Sequence, residues 1–206
     1  MRKILIVVGP QGSGNHVWAK VFGLHPSVYG WNNLQREYWE AHHYEPFSKA
    51  WSDPSTLQFV DGYTHYVTSC SIPYVHKGDH KIPPILEFCL EVEKHDVQPI
   101  IVVLSRDKDI LESQQKRVRG KVTINDAYEI IEQVSKYYPL HFLSYECLYL
   151  WGKHYLKSVA ENLSWPVYWT SPKIDEILKV NTNSKYINDI DSQELDKIVH
   201  ETYSDR

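Results

Sequence analysis

The 206-residue chain contains little from which a disulfide framework, a membrane span or a nucleic-acid-binding face is made. Its three cysteines, Cys70, Cys89 and Cys147, are odd in number and far apart. That excludes a disulfide scaffold and the closely spaced Cys pairs of a zinc site, and it fits a reducing, cytoplasmic setting. The first apolar run, residues 4–8, is too short for a signal-peptide core or a membrane span, and Gly9 and Pro10 follow it at once. Lys and Arg number 22 against 26 Asp and Glu, a net charge of −4, which argues against bulk nucleic-acid binding. One basic cluster, Lys116-Arg117-Val118-Arg119-Gly120-Lys121, reads either as a solvated helix end or as a contact for a small polyanion. No repeat, low-complexity tract or Pro/Gly/Ser-rich linker divides the chain, so residues 1–206 read as a single domain.

What is present is the composition of a globular protein, 42% hydrophobic and 23% charged. Lys3 to Val8 is a continuous β-branched run, and residues 99–104 form another, as strands buried on both faces do. Helical patterns follow the first run over residues 17–22 and the second over 107–118 and 126–137. Pro83-Pro84 opens a further helix with Ile85, Cys89 and Val92 inward. Residues 35–42 read as helix, 57–60, 65–68, 141–144 and 167–169 as short strands, and 147–163 as a long amphipathic helix. Leu148, Trp151, Tyr155 and Val159 form one stripe of that helix, and the tail beyond Pro172 is helical and polar. Buried strands alternating with helices predict a three-layer α/β fold: a central, mainly parallel sheet with helices on both faces. In such sheets ligands sit outside the carboxyl ends of the strands.

At the first of those ends lies Gly9-Pro10-Gln11-Gly12-Ser13-Gly14-Asn15-His16, between a strand and a helix. Its glycines let successive N–H groups point inward, and the helix start adds a positive dipole end. A phosphate or sulfate group suits that cradle. Gly9 and Gly14 have the spacing of the ATPase and kinase phosphate loop, G-x-x-x-x-G-K-[ST], but Asn15 and His16 replace its lysine and its metal-binding hydroxyl. At the end of the second buried strand stands Arg106, with Ser113 two helical turns on; together they offer a charged fork and a hydroxyl to a second phosphate group.

The strand-Arg106-Asp107-(five residues)-Ser113 segment resembles the 3′-phosphate-binding segment of the sulfotransferases that use 3′-phosphoadenosine-5′-phosphosulfate. The loop with Ser13-Gly14-Asn15-His16 resembles that family's 5′-phosphosulfate loop, where S-G-T-T is usual. Residues 142–148, with Ser144-Tyr145-Glu146-Cys147-Leu148, and the later Leu163-Ser164-Trp165-Pro166 are similar to its strand, Y-E-D-L and L-x-x-P pieces. The three occur in the family's order over residues 3–168. The resemblance implies a P-loop-type fold and the nucleotide above as co-substrate. It also implies sulfuryl transfer to a hydroxyl or amine of a small-molecule or carbohydrate acceptor.

It places Gly12, Ser13, Gly14, Asn15 and His16 on the 5′ phosphosulfate and Arg106 and Ser113 on the 3′ phosphate. Gln11 stands nearest the family's loop cation, Ser71 stands where many relatives have a catalytic histidine, and a C-terminal R-K-G loop is absent. His16 would donate to the sulfate or the leaving oxygen, and His65 is the first candidate for the base, with His76 and His80 next. No metal is assigned, since the spacing of His76, Asp79 and His80 is a poor ligand pattern. The aromatic stretch between Trp31 and Trp51 reads either as an acceptor wall or as core. Two other functions stay open: a nucleotide-binding relative without turnover, and a nucleotide kinase or other phosphoryl transferase with a degenerate loop.

Overall fold

The computed structural model describes residues 1–31, 45–76, 79–181 and 183. Strand β1 (Arg2–Pro10) is the centre of a five-stranded sheet. It pairs in parallel with β3 (His65–Ile72) on one side and β6 (Val97–Ser105) on the other. Short β2 (Val28–Tyr29) extends the sheet beyond β3, and β7 (Leu140–Ser144) extends it beyond β6. The order is β2-β3-β1-β6-β7, every pairing parallel, so all carboxyl ends lie along one edge. A separate antiparallel pair, β4 (Tyr74–His76) and β5 (Asp79–Lys81), follows β3.

Alternation along β1 divides the core. Ile4, Ile6 and Val8 face a layer with α2 (Ile85–Lys94) and α4 (Ile124–Ser135). Leu5 and Val7 face α1 (Asn15–Gly23), α5 (Tyr145–Leu163) and α6 (Pro172–Leu178). A strand apolar on both faces demands helices on both, and the expected three-layer α/β architecture is present. Helix α3 (Lys108–Arg119) begins on the Asp107 side chain, which accepts from the amides of Asp109 and Ile110, and stops at Gly120 with φ 70°. Among the described residues, no helix is long and apolar enough to cross a membrane.

The topology has one switch point. After β1 the chain turns towards β2 and β3; after β6 it turns the other way, to β7. The following helices also pack on opposite faces. The switch point, the place where such sheets form their ligand crevice, therefore falls between the carboxyl ends of β1 and β6, beside the first loop and Arg106.

Some sequence expectations require correction. Residues 57–60 and 167–169 join no ladder among the described residues, and Trp169 N bonds back to Val167 O at 3.1 Å in a turn. Trp151 leaves its helical stripe and is 60% exposed, because Gly152 takes φ 51° and ψ −126° and kinks α5. The expected helix at 35–42 lies outside the described residues.

Candidate active site

The site starts with a tight turn. Ser13 N donates to Pro10 O at 3.1 Å and Ser13 Oγ to the same oxygen at 2.8 Å. The third position of this four-residue turn is Gly12, with φ 90°, the left-handed value that a type II turn demands there. A Cβ on Gly12 would also displace the end of the Gln114 side chain, but it is the backbone that requires glycine. Gly14, at φ 98°, is the residue from which α1 starts; a Cβ there would press on the Tyr145 ring at 3.2 Å.

Three successive carbonyls of this loop are held, the first from within it and the next two from outside. Pro10 O accepts from Ser13, Gln11 O accepts from Gln115 Nε2 at 2.8 Å, and Gly12 O accepts from Arg106 Nη1 at 2.5 Å. The first helical bond of α1 runs from Trp18 N to Gly14 O, so the amides of Asn15, His16 and Val17 have no acceptor within the helix. Gly14 supplies no side-chain cap for them. With the Gln11 and Gly12 carbonyls turned to α3 and Arg106, and no side-chain cap from Gly14, the start of α1 brings the positive end of a helix dipole to the loop. Asn15 fixes the loop against β3, its Nδ2 donating to Ser71 Oγ at 2.9 Å.

The second half is Arg106, only 7% exposed. Besides Gly12 O, its Nη1 reaches Gln114 Oε1 at 3.2 Å; its Nε donates to Asn183 Oδ1 at 2.7 Å, and Nη2 donates to the same oxygen. The guanidinium lies 4.8 Å from the centroid of the Tyr145 ring. Glu146 completes the frame: Oε1 accepts from Asp107 N at 3.1 Å and Asn183 Nδ2 at 3.0 Å, and Oε2 accepts from Ser144 Oγ at 3.2 Å. Gln115 is buttressed in turn, since Oε1 accepts from Thr123 N at 2.7 Å.

The carboxyl ends of β1, β3, β6 and β7 thus bring Gln11, Gly12, Ser13, Gly14, Asn15, His16, Ser71, Arg106, Tyr145 and Glu146 together. Ser113 is half-buried on α3 beside Gln114. His16 is half-buried in the first turn of α1, its ring centroid 5.0 Å from that of Trp31. The Gln11 side chain is 1% exposed, and both its polar atoms lack a hydrogen-bond partner among the described residues. His65 is not brought to the site. It pairs with Lys3 at the start of β3, whereas Ser71 pairs with Gly9 at the other end, about 20 Å along the strand. Its ring packs edge-on against Trp165 at 5.0 Å, and burial, with the Lys3 charge nearby, holds the imidazole below its ordinary range. His80 is exposed on β5.

Several residues of the site carry no sequence signal that singles them out: Gln114, Gln115 and Asn183 in the loop's support, and Lys20 and Glu45 around it. Lys20, one turn beyond His16, is 7% exposed, with Nζ 5.9 Å from the centre of the Trp31 ring. Trp31 Nε1 donates to Ser69 Oγ at 3.3 Å, and Trp51 Nε1 to Thr68 Oγ1 at 3.0 Å. With Phe47, these two indoles belong to the core, so the described part of the aromatic stretch is core wall. Tyr38, Trp39 and Tyr44 lie outside the described residues. Glu45 is buried against the same strand. Its Oε2 accepts from Phe47 N at 2.9 Å, while Oε1 has no partner within strict hydrogen-bond geometry. Burial pushes the Glu45 carboxyl up to about 8, against the opposing effect of the Thr68 hydroxyl and the Phe47 and Ser69 backbone.

No protein-family model matches this chain, and no curated protein sequence matches it either.

Proposed function

We propose that the crevice binds the phosphate groups of a nucleotide, and that the protein is a sulfotransferase-like enzyme of P-loop type. Its co-substrate would be 3′-phosphoadenosine-5′-phosphosulfate, and it would pass the sulfuryl group to a hydroxyl or amine of a small-molecule or carbohydrate acceptor. The observation that carries the phosphate reading is the anchoring of the Gln11 and Gly12 carbonyls by Gln115 and Arg106 beside a helix start that has no side-chain cap from Gly14. An anion is the natural complement of such a loop. The buried Gln11 amide, with neither donor nor acceptor satisfied among the described residues, is a second sign that the site is completed by something polar. The sulfuryl donor rather than a nucleoside triphosphate is supported by the loop's lack of a lysine and metal-binding hydroxyl, and by the resemblance of the Arg106 and Tyr145-Glu146 segments.

In the transfer, the acceptor oxygen or nitrogen forms a bond to sulfur as the bond from sulfur to the bridging phosphate oxygen breaks, and the acceptor's proton passes to a base. The α1 amides would hold the 5′ phosphosulfate. His16 would donate to the sulfate or to the departing oxygen, and Gln11 would stand where a cation is usual. Arg106 and Ser113 would take the 3′ phosphate. His65, at the opposite end of β3, has no part in this reading.

Binding without turnover is the second reading. One observation favours it: the loop holds no Lys or Arg, and the nearest cation on α1, Lys20, is buried over Trp31. A labelled-sulfate transfer assay with phenols, sugars and amines separates the two. Label on any acceptor, lost when His16 is replaced by Ala, supports the enzyme. Bound nucleotide with no transfer across all three acceptor classes supports the second reading.

A further inference from the structure

The edge of Arg106 that would grip an anion is already taken by the protein. Nε and Nη2 form one of the parallel-donor edges through which arginine holds carboxylate or phosphate, and both donate to Oδ1 of Asn183. Nη1 is turned to Gly12 O and Gln114 Oε1. A neutral amide oxygen therefore stands where the phosphate oxygens would sit. It comes from the chain just beyond α6, which is tied down at further points. Asn183 Nδ2 donates to Glu146 Oε1 at 3.0 Å, Asn183 N to Asn181 Oδ1 at 2.9 Å, and Tyr145 Oη to Val180 O at 3.3 Å. The residues that frame the crevice, Arg106, Tyr145 and Glu146, are thus the ones that hold this stretch.

We propose that Asn183 is an autoinhibitory strap: the 3′ phosphate binds Arg106 only by displacing the Asn183 amide oxygen, so strap release is coupled to nucleotide binding. The inference rests on the nucleotide reading of the crevice. The exchange is chemically reasonable, because a phosphate dianion on a guanidinium makes stronger bonds than a neutral amide does. Its cost is the loss of the strap's other bonds, and the apparent affinity falls by the fraction of molecules whose strap is closed. A neutral amide suits the role, since it fills the fork without locking it as a carboxylate would.

Calorimetric titration of adenosine 3′,5′-bisphosphate into three full-length proteins tests this. Asn183→Ala removes the competing oxygen. Tyr145→Phe removes the hydroxyl that holds Val180 O but keeps the ring beneath Arg106. The expected result is binding about tenfold tighter in Asn183→Ala and a smaller tightening in Tyr145→Phe. In the unsubstituted protein, the ligand should also remove the exchange protection of the Asn183 amide. Should Asn183→Ala fail to fold, Tyr145→Phe and the amide exchange carry the comparison. If the unsubstituted protein binds and both variants bind equally or more weakly, Asn183 orients Arg106 and the strap is overturned, while the phosphate site stands. If none of the three binds, the phosphate reading falls and the strap with it.

Discussion

Arg106 Nη1 lies 2.5 Å from the carbonyl oxygen of Gly12, a bond between residues 94 apart in sequence that joins the ends of two adjacent strands. It has an indirect consequence for chemistry. By holding the carbonyl, Arg106 fixes the Gly12 peptide beside the start of α1. The guanidinium does this while stacked on Tyr145 and bridged to Asn183, so one side chain braces the loop, the start of α5 and the chain after α6.

Lysine keeps the charge at this position but has neither the planar fork nor the flat face that lies on Tyr145. Arg106→Lys should therefore destabilise the fold by roughly 1.5–3 kcal/mol, the range for hydrogen bonds to charged groups. Urea unfolding measures it, and an unchanged midpoint would show that the network contributes nothing to stability.

Gly12→Ala faces two penalties, a φ of 90° and the Gln114 side chain. A loss of about 1–3 kcal/mol is expected. The double variant with Gln114→Ala should recover only the steric part, because the backbone strain remains. Full recovery in the double variant would show that φ imposes no cost here.

Gln115→Leu keeps the size of the side chain but abandons the Gln11 carbonyl and the Thr123 amide together. With each buried unpaired group costing about 1–3 kcal/mol, a loss of 2 kcal/mol or more is expected. Amide exchange at Thr123 should accelerate in parallel; exchange as slow as in the unsubstituted protein would contradict the assignment.

Glu45 makes a pH prediction. Its carboxyl rises from an ordinary 4.5 to about 8 on folding, so between those values the folded state holds a proton that the unfolded state has lost. Stability should therefore fall as pH rises from about 4.5 to about 8, by at most about 1.4 kcal/mol per pH unit, and level off above. Glu45→Gln stays neutral and should flatten that stretch, gaining on the unsubstituted protein most at pH 9. Parallel slopes for the two proteins in urea unfolding at pH 5, 7 and 9 would refute the burial of this carboxyl.

The sheet was legible because β1 and β6 are apolar on both faces, a pattern that only a covered parallel strand explains. The loop was legible because glycine at positions 12 and 14 marks backbone that other residues resist. What escaped were contacts that neutral amide side chains make with partners distant in sequence. Gln115 reaches Gln11 across 104 residues and Asn183 reaches Arg106 across 77, and neither composition nor periodicity marks such a pair. His65 misled for a different reason. It stands four residues before Ser69 in sequence, but an extended strand carries four residues about 13 Å apart. Trp151 fitted a helical stripe that Gly152 then broke.

A nucleotide phosphate site formed by the first loop and Arg106 is best probed by calorimetry with adenosine 3′,5′-bisphosphate and, separately, ATP with magnesium. Micromolar binding of the bisphosphate, its loss in Arg106→Ala, and weaker binding of ATP are expected. Tighter binding of ATP with magnesium, or bisphosphate binding untouched by Arg106→Ala, would contradict it.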